Sequence, residues 1–122
     1  MKRYHALLDG FDASKVEQVT ARLNGKKFVY SSHFFHQVVA RFDDKEQRML
    51  GDYLRAYQLS KVECFEYYED NRGVVKICYR LPFTAECDIV LVLAMNKSVI
   101  TIYRNNVNDN HKTLNHNQYQ EA

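Results

Sequence analysis

A change in hydrophobic period near residue 60 constrains the fold more than any other feature of this sequence. Before it, apolar residues recur every three or four positions, as in amphipathic helices. After it, apolar and polar residues alternate in short runs joined by tight turns, as in β-strands. The chain has 122 residues, which fits one domain. The sequence therefore predicts an α+β fold with N-terminal helices packed on an antiparallel sheet.

Capping residues divide the first half into three predicted helices. Asp12 or Ser14 can cap the first and Asn24-Gly25 ends it, because both residue types tolerate a C-cap backbone. A serine at 31 or 32 opens the second helix, and Asp43-Asp44 separates it from the third. The first predicted helix runs to about Leu23, and the apolar face of the third includes residues from Met49 to Tyr57.

The second helix is the most strongly patterned. Its large apolar residues fall on one half of the helical wheel and should face the core: Phe34, Phe35, Val38, Val39 and Phe42. Polar residues occupy the other half, where His33, Gln37 and Arg41 form a line with four-residue spacing. We expect Phe34, Val38 and Phe42 to pack against Ile89, Leu91 and Leu93 or against the opposite-face neighbours of these three residues.

The second half predicts four strands in two hairpins. The strands cover about residues 61–70, 74–81, 87–95 and 98–105, and the turns are Asn71-Arg72-Gly73 and Asn96-Lys97. Two consecutive hairpins predict a four-stranded antiparallel meander. Residues 106–122 are rich in Asn, Gln and His, so we expect a single domain over 1–105 and a polar, flexible tail over 106–122.

Alternation along the strands predicts two groups of exposed side chains. In the last strand, Ile100 and Ile102 should face the helices, while Thr101, Tyr103 and Asn105 line the opposite face. In an earlier strand, Lys76 and Arg80 share one face. Tyrosine rings can stack on bases and cations can meet phosphates, so such a surface could bind RNA.

Charge, cysteine content and the length of apolar runs bear on the possible partners and on the cellular compartment. A formal net charge of +2 identifies no partner by itself. The three cysteines show no disulfide framework and no metal-ligand spacing, so we expect free, buried thiols and neither metal nor cofactor. No signal peptide or membrane-spanning apolar run is visible, so we expect a cytoplasmic protein without a membrane partner.

The polar line of the second helix suggests a chemistry. Histidine exchanges protons near neutral pH, and arginine binds phosphate through two parallel hydrogen bonds. Together they could cleave a phosphodiester without a metal, with His33 as general acid or base and Arg41 as the charge stabiliser. The alternative interpretation is a solvated helix face with no catalytic role.

These pieces carry a family resemblance. Ser31-Ser32-His33 with Arg41, together with Thr101-Ile102-Tyr103-Arg104, resembles the small RelE-like and colicin D-like proteins of the barnase, EndoU, colicin D and RelE superfamily. The segment that follows, residues 105–114, resembles a tail of small phage and prophage proteins. The resemblance implies a metal-independent endoribonuclease acting on tRNA or messenger RNA, in a bacterial cell or a phage-infected host.

Three functions remain open from the sequence. The first is such an endoribonuclease, a toxin or phage effector, with catalytic residues His33, Arg41, Thr101 and Arg104 and RNA contacts from Lys76, Arg80, Tyr103 and Asn105. The second is a catalytically silent module of the same fold that binds nucleic acid or a protein such as an antitoxin or host factor. The third is a structural protein that self-associates through its tyrosine-rich surface, in an oligomeric state that the sequence does not specify.

Overall fold

A computed structural model describes residues 1–106 as three helices and a five-stranded antiparallel sheet. The helices are α1 Ala13–Asn24, α2 Ser32–Arg41 and α3 Asp44–Ala56, followed by a short 3-10 turn at Lys61–Glu63. The strands are β1 Lys2–His5, β2 Cys64–Asp70, β3 Gly73–Pro82, β4 Cys87–Ala94 and β5 Val99–Asn106. The predicted α+β class is therefore confirmed.

The sheet is a meander in which each strand pairs with the next, in the order β1-β2-β3-β4-β5. The two predicted hairpins are present, β2 with β3 and β4 with β5. The predicted count of four strands is wrong, because β1 adds a fifth along the outer side of β2. Its four residues, Lys-Arg-Tyr-His, have no apolar alternation, so nothing local marks them as a strand.

The predicted helix starts are confirmed by their capping bonds. The side chains of Asp12, Ser31 and Asp43 each accept a hydrogen bond from the backbone N–H three residues later. Each bond satisfies one of the donors that a helix start leaves unpaired. Asp43 does so within a full capping box, in which Glu46 accepts from the Asp43 N–H in return.

The helices contribute to one core with the sheet. Phe34, Val38 and Phe42 belong to the same buried cluster as the β4 residues Ile89, Leu91 and Leu93. Two other residues of the predicted apolar half do not: Phe35 is 58% exposed and Val39 is 68% exposed. The sheet therefore contacts a narrower stripe of α2 than the wheel predicted.

A register shift in β5 overturns one expectation about its faces. Val92 pairs with Thr101 while Leu93 pairs with Val99, so Ile100 is an extra residue in the ladder. Ile102 is fully buried on the helix side as predicted, but Ile100 is 37% exposed. A bulge releases its residue from strict alternation, which explains why Ile100 does not share the position of Ile102.

Other expectations concern the cysteines, the membrane and the tail. Cys64, Cys78 and Cys87 are buried and free of disulfides. In the described part of the chain, every helix is too short or too polar to cross a lipid bilayer. Asn106 is the last residue of β5, and the rest of the predicted tail, 107–122, lies outside the described residues.

Candidate functional site

The polar line of α2 lies against the outer edge of β5. The Gln37 Oε1 accepts a hydrogen bond of 3.0 Å from the Ile102 N–H, and Arg41 donates one of 2.7 Å to the Ile102 carbonyl. Both backbone groups of Ile102 therefore point away from β4. They lie on the open side of β5, which is the last strand of the sheet. Gln37 and Arg41 thus satisfy an edge that would otherwise lack partners. Gln37 is only 7% exposed, so its predicted solvated position is wrong.

His33 forms a hydrogen bond with Gln37, one turn later on α2. Its Nε2 lies 2.8 Å from the Gln37 Nε2. Because the Gln37 oxygen already accepts from Ile102, the Gln37 nitrogen faces His33 and must donate to it. The His33 Nε2 lone pair is therefore occupied, and the proton of a neutral ring lies on Nδ1. A substrate hydroxyl could use Nε2 as a base only by displacing Gln37.

Arg104 forms an ion pair with a buried carboxylate. Its Nε lies 3.1 and 3.0 Å from the two oxygens of Glu46 on α3, and Glu46 is buried. The hydrogen bond to Glu46 raises the pKa of Arg104. Cys87 also donates to the same carboxylate, over 3.4 Å. Arg104 therefore joins β5 to the N-terminal turn of α3, and its charge is balanced within the fold.

The four predicted catalytic residues do not converge on one point. Thr101 and Arg104 both lie in the regular part of β5 that follows the bulge, where Thr101 pairs with Val92 and Arg104 pairs with Ile89. Side chains alternate along a strand, so those of Thr101 and Arg104 are on opposite faces of the sheet. Arg104 reaches the helix side, whereas Thr101 lies on the other side of the sheet. A phosphodiester must touch all of its catalytic groups at once, which this arrangement of Thr101 and Arg104 does not permit.

The four predicted RNA contacts do share a surface. We call the side of the sheet opposite the helices the outer face. Strand register aligns Arg80, Val90 and Tyr103 across it, and Pro82, Asp88 and Asn105 in the next row. Lys76 lies two residues before Cys78 on the same face. Lys76, Arg80, Tyr103 and Asn105 are therefore on one side of the sheet, as expected.

Cations lie against tyrosine rings at both ends of the outer face. On β2, the Tyr68 ring has the Lys76 Nζ at 4.4 Å and the Arg3 Cζ at 5.1 Å from its centroid. At the β5 edge, the Arg41 Cζ lies 4.5 Å from the centroid of Tyr103, which is 44% exposed. Burial raises the pKa of Tyr68 to about 12, so its hydroxyl stays protonated.

Two ion pairs reduce the charge of the outer face without cancelling it. Arg3 bonds Glu66 at 2.6 Å, and Arg80 bonds Asp88 at 2.6 Å. With Lys76 and Arg41, the face and its β5 edge carry four cations against these two carboxylates. The surface is therefore positive around the half-buried Tyr68 and the exposed Tyr103.

A second feature is a cleft on the helix side, beside the start of β5. It encloses about 740 Å³ between the segment 26–30, α2, α3 and the turn that holds Lys97. Phe28, Tyr30, Phe34 and Phe35 line it as a continuous row of rings, with neighbouring centroids 4.6 to 6.1 Å apart. We call it the aromatic cleft. The sequence did not predict this cleft, although the apolar half of α2 was wide enough for Phe35 and Val39 to line a second surface beside the core.

Metal and thiol chemistry find no support in the described part of the chain. Within residues 1–106, no three His, Cys, Asp or Glu side chains gather as a metal site would require. Burial raises the pKa of all three cysteines, that of Cys64 to about 12, so each remains a thiol at neutral pH. A thiolate nucleophile is therefore not available here.

Comparison with known proteins adds no further constraint. No protein-family model matches the chain, and searches of curated proteins and of solved structures give no match either.

Proposed function

We propose that this chain is a catalytically silent binding module that holds single-stranded RNA on the outer face of its sheet. The observation that carries the proposal is the pairing of cations with tyrosine rings at both ends of that face. Bases would stack on the rings, and phosphates would meet the neighbouring cations. This combination binds single strands with little sequence preference.

The position of Tyr103 gives the proposal its most specific contact. Nearly half of its surface is open, and its ring is already oriented by Arg41 on one side. A base stacking beside that pair would place its phosphate near Arg41 and Asn105. Lys76 and Tyr68 would hold the strand at the other end of the face, about three strand spacings or 14 Å away. That distance suits a few nucleotides.

Binding without cleavage agrees better with the bonding of the predicted catalytic groups than the nuclease hypothesis does. Arg41 holds α2 on the β5 edge together with Gln37, His33 is hydrogen-bonded to Gln37, and Arg104 is paired with Glu46. These bonds give each side chain a structural role that does not involve a substrate. A catalytic role would require His33 to exchange Gln37 for a substrate hydroxyl and Arg104 to leave Glu46.

The proposal keeps the resemblance to the RelE-like and colicin D-like proteins as an expectation about the fold. A helical layer on an antiparallel meander agrees with that resemblance, whereas β1 departs from the four strands expected of it. Free, buried cysteines suit a reducing compartment, so we place the module in the cytoplasm of a bacterial or phage-infected cell.

The proposal predicts a loss of RNA affinity when the exposed ring is removed. Tyr103→Ala should weaken binding of a fluorescein-labelled single-stranded RNA of about 16 nucleotides by about tenfold, because one stacked base contributes about 1–3 kcal/mol. Tyr103→Phe should bind nearly as the wild type does, since it keeps the ring. Fluorescence anisotropy at low salt measures both affinities.

The charged contact and its control complete the test. Lys76→Gln should reduce the slope of log affinity against log salt by about one, because one phosphate contact is lost. Lys45→Gln removes an exposed lysine of α3, a helix on the opposite side of the sheet from the outer face, and should leave both affinity and slope unchanged. Absence of binding by the wild type, or equal weakening by Lys45→Gln and Tyr103→Ala, would overturn the proposal.

A further inference from the structure

The aromatic cleft contains a buried cation without an acidic partner. Lys97 is 4% exposed and lines the cleft wall. Its Nζ donates to the Lys26 carbonyl over 3.0 Å and lies 4.2 Å from the centroid of the Phe28 ring. No carboxylate of residues 1–106 forms an ion pair with it. An ammonium removed from water normally requires a counter-ion, and here the described chain supplies only a carbonyl and a ring.

The rest of the cleft lining has the same one-sided charge. Lys26, Lys27 and Arg55 also line it, and its wall includes no Asp or Glu among the described residues. Lys26 donates to the Met95 carbonyl, and Arg55 has an exposed ion pair with Asp52 at 3.4 Å. Lys27 forms no hydrogen bond or ion pair with the part of the chain described. An anion entering the cleft would therefore meet cations on several sides.

The position of Lys97 is unusual in a second respect. Its φ is 67°, the left-handed region that glycine or asparagine occupies more easily than lysine. The turn between β4 and β5 thus holds a long charged side chain at a strained backbone position and directs it into a wall of the cleft. Burial lowers the pKa of Lys97, and no acidic neighbour raises it again. A bound anion would supply that missing stabilisation.

The apolar part of the cleft determines what kind of anion fits. Its size lies within the range of small-molecule sites, about 300–1,000 Å³. The row of rings from Phe28 to Phe35 offers an apolar wall, and Leu50 and Leu54 of α3 also line the cleft. Because Lys97 is buried beside the Phe28 ring, the anionic head must enter the cleft to approach its ammonium. This favours a small molecule over the surface of a protein partner.

We propose that the aromatic cleft binds an amphiphilic organic anion, with its carboxylate beside the Lys97 ammonium and its apolar body against the rings of Phe28, Tyr30 and Phe34. The site is separate from the outer face, on the other side of the sheet. It therefore does not depend on the RNA proposal.

Gly51 offers a way to close the cleft without damaging the fold. It lies on α3 in the cleft wall, and a Cβ added there would meet no atom within 4 Å. Gly51→Leu should therefore place its side chain in the cleft. The variant should fold at least as stably as the wild type, because leucine has a much higher helix propensity than glycine. Gly51→Ala is its matched control, since a single methyl group leaves most of the volume open.

The test compares three probes that share a ten-carbon alkyl chain and differ in their head group: decanoate, decanol and decylammonium. Each is titrated into the full-length protein below its micelle concentration, and binding is measured by calorimetry. The wild type should bind decanoate about tenfold more tightly than decanol, because a hydrogen bond between charged groups contributes more than a neutral one. Decylammonium should bind more weakly than either. Lys97→Met should remove the preference for decanoate over decanol. Gly51→Leu should weaken the binding of both ligands about tenfold, because its side chain fills part of the cleft. Gly51→Ala and Lys45→Gln should leave both affinities unchanged.

Four outcomes would overturn the proposal. The first is equal affinity of the wild type for decanoate and decanol. The second is retention of the decanoate preference in Lys97→Met. The third is unchanged decanoate binding in Gly51→Leu, which would place the ligand elsewhere. Binding of an acidic amphipathic peptide in place of decanoate would also reject the small-molecule assignment.

Discussion

Phe42→Ala should lower the free energy of unfolding by about 3–5 kcal/mol, the usual loss when a buried aromatic side chain is truncated. Phe42 follows the last turn of α2 and is 4% exposed. Its ring meets Phe83 edge-on at a centroid distance of 6.3 Å, and it belongs to the core cluster that includes Ile89 and Leu91. Truncation would leave a cavity where the helices meet the sheet.

Phe35→Ala is the matched control for that prediction. Both phenylalanines fall on the predicted apolar half of α2, but Phe35 is 58% exposed. Its removal should cost less than about 1 kcal/mol, since little apolar surface leaves the core. Urea unfolding of the two variants measures both values. Equal losses in the two proteins would mean that α2 is not docked through Phe42 as described.

Glu46→Ala should also be strongly destabilising, by about 3 kcal/mol. The substitution removes the partner of Arg104 and half of the α3 capping box in one step. Loss of a cap costs about 1 kcal/mol, and removal of one partner from a buried pair costs about 3–5 kcal/mol. The second figure is reduced here because about a third of the Arg104 side chain is exposed.

Asp52→Ala provides the comparison on the same helix. Asp52 forms an ion pair with Arg55 at 3.4 Å, but both side chains are exposed. Exposed pairs of this kind contribute less than about 1 kcal/mol. Urea unfolding should therefore separate the two variants clearly. A loss for Glu46→Ala no larger than that for Asp52→Ala would show that Arg104 does not depend on Glu46 and remains available for another role.

The elements with strong periodicity could be predicted from the sequence, and those that depend on a neighbour could not. The four longer strands and the three helices each carry a local pattern and local caps. β1 has neither, because it becomes a strand only by pairing with β2. Phe35 and Val39 were placed in the core because a helical wheel does not show how much of a helix the sheet covers.

The candidate site shows the same limit more sharply. The spacing of His33, Gln37 and Arg41 correctly placed them on one face of α2. It could not show that this face lies along the edge of β5, where Gln37 and Arg41 bond the backbone of Ile102. The partner of Arg104 is 58 residues away in sequence, so its pairing was equally invisible. Alternation within strands, by contrast, correctly grouped Lys76, Arg80, Tyr103 and Asn105.

We propose that this chain binds single-stranded RNA without cutting it. The most direct test incubates the labelled RNA in EDTA with saturating wild type or His33→Ala and resolves the RNA on a denaturing gel. We expect intact RNA with both proteins, under conditions in which anisotropy shows the RNA bound. Fragments produced by the wild type and reduced about 10²–10⁴-fold by His33→Ala, the usual contribution of a general base, would contradict it.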